Sequence, residues 1–215
     1  IRFESEGKKE NIWKIIEVNW LVSGSLISVA YLILIPVADS LFTIWTKGHI
    51  EFNKPLFYLL SLSVLAINFG RSLTSYLIGI NDLKRMSVLS ITRFVLIFGV
   101  SFTLIHSLGL TAIGIGILAA ELICSVLLPV IFVHSHLSRY QFDFAKLLLA
   151  LLPLPLFGGA LAICHFYPSA TWWLCGAAGI VLLWTYLLFW RSLEEQIKLR
   201  LIHFARKGLR KLYAF

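Results

Sequence analysis

Six apolar runs, each about as long as a bilayer is thick, occupy this chain between Trp20 and Trp190 and hold few charges. A hydrocarbon core of roughly 30 Å is crossed by about 20 apolar residues of helix rising about 1.5 Å each. The runs predict spans at 20–44, 56–79, 87–107, 111–134, 147–166 and 171–190. Only Leu108, Gly109 and Leu110 separate the third span from the fourth, and Tyr167, Pro168, Ser169 and Ala170 the fifth from the sixth. Both connections predict tight antiparallel hairpins. The expected fold is all-α: a polytopic membrane protein with six transmembrane helices. Around the domain at 20–190 lie a comparatively polar segment, 1–19, and a basic tail, 191–215.

The tail places Leu193, Ile197, Leu201 and Phe204 at three- and four-residue spacing, with Lys198, Arg206, Lys207, Arg210 and Lys211 around them. This pattern predicts a cationic amphipathic helix lying on the membrane surface. Cationic loops stay on the cytoplasmic side. With the N-terminus inside, fifteen of the nineteen Lys and Arg fall in inner segments and only Lys47 and Lys54 in outer ones. Both termini, 1–19 included, are therefore expected to be cytoplasmic. The formal net charge of +8 then needs no nucleic-acid partner, because anionic membrane lipids attract each nearby cation by about 1 kcal/mol. Cys124, Cys164 and Cys175 lie in apolar spans without metal-ligand spacing. Cys164 and Cys175 come near one end of their hairpin and would pair if their faces matched, although buried inert thiols are the simpler expectation.

An ionisable group inside a span costs about 2.5–3.5 kcal/mol on insertion scales, so such groups tend to face a cavity or a partner. Arg71 lies about nine residues before the inner loop, roughly 13 Å deep, and Asn68, Arg71, Ser72 and Ser75 form a polar stripe at helical spacing. Glu121 reaches a similar depth in the fourth span. Arg71 and Glu121 are expected either to neutralise each other or to line a cavity in which Arg71 meets an anionic group and Glu121 orients it. Arg93, about six residues into its span, is within snorkelling reach of the headgroups; anchoring is its simplest role, and it stands with Arg71, Asn68, Glu121 and Ser75 as a candidate substrate contact. Asp39 sits near an outer rim. Pro36, Pro129, Pro153 and Pro155 favour kinks, and Gly99, Gly114 and Gly116 favour close helix approach. No phosphate-cradling glycine loop, HExxH or GxSxG motif is present, so neither enzymatic activity nor a cofactor is expected.

The stretch Leu41-Phe-Thr-Ile-Trp-Thr-Lys-Gly48, the polar-striped helix ending Ile80-Asn-Asp-Leu-Lys-Arg85 and the hairpin at Leu108-Gly-Leu-Thr-Ala-Ile-Gly114 resemble the polysaccharide flippases of the multidrug/oligosaccharidyl-lipid/polysaccharide exporter superfamily. The resemblance covers about 15–135. It implies two six-helix lobes around a central cavity, of which this chain corresponds to a C-terminal portion. It also implies alternating-access translocation of undecaprenyl-pyrophosphate-linked oligosaccharide across the bacterial inner membrane, alongside other polysaccharide-assembly proteins. A cation-coupled drug antiporter, using Glu121 or Asp39, and a non-transporting subunit of a glycan-assembly complex remain alternatives.

Overall fold

A computed structural model of the chain describes residues 9–137, 144–166, 171–193, 195, 198 and 199. Among these residues the order is α1 Lys9–Thr46, α2 Lys54–Gly79, α3 Leu83–Leu108, α4 Thr111–Glu121, a π-helical segment Leu122–Leu127, α5 Leu128–Leu137, α6 Phe144–Leu151, α7 Pro153–Phe166 and α8 Thr171–Ser192. None of them forms a strand. Six helical stretches, Ile12–Thr46, Lys54–Gly79, Leu83–Leu108, Thr111–Ser135, Ala145–Cys164 and Cys175–Ser192, are long and apolar enough to cross a membrane. The chain is an all-α polytopic membrane protein. Most of the expected amphipathic tail and the 1–8 portion of the N-terminal segment lie outside the described residues. Leu193, the first apolar position of the tail, is buried with Leu21 and Phe189.

Local chemistry explains the breaks between helices. α2 opens with Asn53 at the cap, its side chain accepting from the Leu56 N–H at 2.9 Å, and with a proline in its first turn. Asp82 caps α3 in the same way, accepting from the Arg85 N–H at 3.1 Å. The hairpin between α3 and α4 turns on Gly109, whose φ of +55° suits a residue without Cβ. Pro153 offers no N–H, and the fifth span breaks at Leu152 into α6 and α7. Pro36, by contrast, is carried within α1.

α1 also starts earlier than its hydropathy suggests, at Lys9, well before Trp20. The polar composition of 9–19 hides a packed face: Trp13, Ile16 and Trp20 are buried against Phe69, Leu73, Tyr76 and Leu77 of α2. Glu17 falls on that same face, 2% exposed, with its carboxylate 3.1 Å from the Lys146 ammonium on α6. Trp20 stacks on Phe69, with ring centroids 4.6 Å apart, and its indole N–H donates to the Phe69 carbonyl at 2.8 Å.

α2 is the central helix, packed against α1, α3, α4, the π segment, α5 and α7. Two buried clusters follow one another along it. The first joins the early part of α1, the second half of α2, α3, the π segment, α5 and α6. The second joins Ile35 of α1, Leu65 of α2, Phe157 and Leu161 of α7, and Leu182 of α8. α3 is peripheral, exposing Phe94, Phe98 and Phe102 at 61%, 61% and 76%. A row of that kind is costly in water and ordinary against acyl chains, which are as apolar as the side chains themselves.

Candidate functional site

The polar centre of the bundle is built where α2 crosses the π-helical segment. Pro129 has no N–H to give the Ser125 carbonyl, and the backbone upstream widens, so that the Leu128 N–H bonds five residues back to Ile123. A π turn of this kind rotates neighbouring side chains out of α-helical register and recurs at functional sites. The Ser125 carbonyl is turned toward Gly70 of α2, so close that a Cβ on Gly70 would collide with it. Gly70 therefore sets the distance between the two helices, and the next residue, Arg71, leaves α2 beside the junction.

Glu121, at the end of α4, is 5% exposed. It is held by α3. Arg93 Nη2 donates to Glu121 Oε2 at 3.2 Å and to Ser125 Oγ at 3.0 Å, and Ser125 Oγ donates to the same carboxylate oxygen. Arg93 Nε sits 2.9 Å from Glu121 Oε1 without a well-directed N–H, so that contact is a charge contact rather than a hydrogen bond. One carboxylate, one guanidinium and one hydroxyl thus hold one another in the membrane interior. This corrects two expectations from the sequence. The partner of Glu121 is Arg93, not Arg71, because the tight turn at Gly109 lays α3 directly along α4. Arg93 is accordingly tied to a buried carboxylate rather than left as a headgroup anchor.

Arg71 is left over. Its side chain is exposed, and among the described residues its guanidinium has no hydrogen bond or ion pair. It lines a cavity of about 200 Å³ between α2, α3 and the π segment. The polar wall comprises Arg71, Thr74, Ser90, Arg93 and Ser125, and the apolar wall Ile67, Met86 and Leu89. Two guanidiniums, one neutralised and one not, give that space a net positive character.

The other expected members of the stripe diverge. Ser72 turns toward α1 and hydrogen-bonds to Asn19. Asn68 lines a separate water-sized space of about 20 Å³ beside Trp20, Phe69, Pro153 and Tyr186. Ser75 is exposed and does not line the Arg71 cavity. Successive helical residues are about 100° apart, so these four α2 positions fan over roughly 100° of the helix and are divided between the neighbours on its two sides. Gly116 packs tightly against Ile97 and Ser101 of α3, whereas Gly99 faces open space.

Asp39 forms an ion pair with Lys54 at 2.9 Å, both half-exposed, where α1 meets α2. At the opposite end of α2, the Arg85 guanidinium donates to the Phe132 carbonyl at 3.3 Å and lies 5.4 Å from its ring centre. Among the described residues, no group of three His, Cys, Asp or Glu side chains is arranged to hold a metal. Three contributors escaped the sequence reading: Ser125, which joins Arg93 to Glu121; Gly70, whose closeness to Ser125 no pattern announces; and the buried pair of Glu17 and Lys146. Comparison of the chain with family models, with curated proteins and with solved structures finds no match.

Proposed function

We propose that the chain takes part in moving a lipid-linked anionic glycan, in the first place an undecaprenyl-pyrophosphate-linked oligosaccharide, across a bacterial inner membrane, with both termini on the cytoplasmic side. The observation that carries the reading is Arg71, an unneutralised cation in a membrane span, lining a partly polar cavity. Facing lipid, such a group costs about 2.5–3.5 kcal/mol; facing an anion, it forms charge-assisted hydrogen bonds with phosphate oxygens. The planar guanidinium fits a pyrophosphate better than a point charge does. Arg93 and Ser125 border the same space, and the Arg93–Glu121 pair keeps that wall in place. The likeness of 15–135 to polysaccharide flippases supports the same substrate class.

A cation-coupled antiporter fits less well, because both acids it would use are engaged, Glu121 by Arg93 and Asp39 by Lys54. The test is binding. With the chain in lipid nanodiscs, a fluorescent polyprenyl pyrophosphate is expected to bind saturably and the matching uncharged polyprenol is not. Equal binding of the two, or of neither, would contradict the proposal.

A further inference from the structure

Two of the three cysteines come together in a way the glycan reading does not use. Cys164 lies one turn beyond Leu161 on α7, and Cys175 lies two turns before Leu182 on α8, so each cysteine shares a helix face with a buried leucine. Leu161 and Leu182 belong to one cluster, and Cys175 packs against it. The cysteines therefore face each other across the α7–α8 contact, near enough for the Cys164 side chain to act on the Cys175 thiol. Cys164 is buried, whereas Cys175 is partly exposed. Cys124 is fully buried in the other cluster, against α2.

We infer that Cys164 and Cys175 form a redox-modifiable dithiol that closes to an intramolecular disulfide linking α7 to α8. The oxidant is of the thiol–disulfide exchange class. The Cys175 thiolate attacks one sulfur of the oxidant's disulfide, forming a mixed disulfide and expelling the other oxidant sulfur as a thiolate. The Cys164 thiolate then attacks the Cys175 sulfur and expels the second oxidant thiolate. Two S–H bonds are lost and one S–S bond is formed, and the oxidant gains two electrons and the two protons. With the termini cytoplasmic, this end of the hairpin faces the outer compartment, where disulfides form and persist.

The test uses the full chain in native membrane vesicles and an azodicarboxamide oxidant, which yields the same disulfide while its N=N bond is reduced to a hydrazine. Free thiols are then counted after denaturation with a maleimide that adds a resolvable mass. All three cysteines are expected to label before oxidation, only Cys124 after it, and all three again after phosphine reduction. Cys164→Ser and Cys175→Ser should each keep both remaining thiols through the same treatment, whereas Cys124→Ser should lose both of its own. Three labels persisting in the oxidised wild type, while chain denatured before oxidation loses two, would overturn the inference. So would loss of label accompanied by a reducible dimer, which would place the bond between chains.

Discussion

Cells carrying Arg71→Ala as their only copy are expected to lose export of the lipid-linked glycan while holding the protein in the membrane at wild-type level. No partner is orphaned by the change, because the Arg71 guanidinium has none among the described residues. The folded bundle therefore gives up little. What is lost is a charge-assisted contact with the bound anion, worth about 1.5–3 kcal/mol. At about 1.4 kcal/mol per decade, pyrophosphate binding in nanodiscs should weaken by roughly 10- to 150-fold. Arg71→Lys should recover part of that loss, because charge returns without the bidentate fork. Unchanged binding in Arg71→Ala would remove the residue from the site, and loss of the protein itself would recast Arg71 as structural.

Arg93→Ala is expected to behave in the opposite way, with the protein depleted from the membrane or unfolding more readily. The change leaves the Glu121 carboxylate, 5% exposed, with only the Ser125 hydroxyl as a partner among the described residues. Breaking a buried pair from one side costs about 3–5 kcal/mol. The lower end applies here, since the Arg93 side chain is 35% exposed and partly screened. A double change, Arg93→Met with Glu121→Leu, should restore most of the stability, because neither charge then remains to be satisfied. Thermal unfolding in a mild detergent measures all three proteins. A stable Arg93→Ala protein, or a double variant no better than the single one, would show that the pair does not hold this wall together. Together, the Arg71 and Arg93 variants separate binding from architecture within a single cavity.

The spans were legible because a hydrocarbon solvent imposes length and apolarity on every crossing helix, and the six runs satisfy both. The hairpin at Gly109 was legible for the same reason: three residues between two spans leave the chain no other way to turn. That hairpin also held the clue to the ion pair. Helices joined so tightly must lie side by side, so a cation on one arm and an acid on the other are natural partners. Arg93, measured instead from the nearer inner loop, looked like a surface anchor. The start of α1 was hidden by composition, since Lys9, Glu10, Lys14 and Glu17 dilute the hydropathy of a segment whose Trp13, Ile16 and Trp20 are buried. The division of the α2 stripe was not legible. It depends on which helices flank α2, and that follows from long-range packing through Gly70 and the π turn before Pro129, not from spacing along α2.

The central claim is that position 71 faces a wet, anion-accepting space inside the membrane rather than lipid. A chain with Cys124, Cys164 and Cys175 each replaced by serine, carrying Arg71→Cys, measures this directly through its reaction with a negatively charged, membrane-impermeant methanethiosulfonate. Phe98→Cys in the same background is the lipid-facing control, since Phe98 is 61% exposed on the outer face of α3. The account predicts that residue 71 reacts and residue 98 does not, and that polyprenyl pyrophosphate, bound through what remains of the cavity, slows the reaction at 71. Protection of both positions would place Arg71 against lipid and contradict the account.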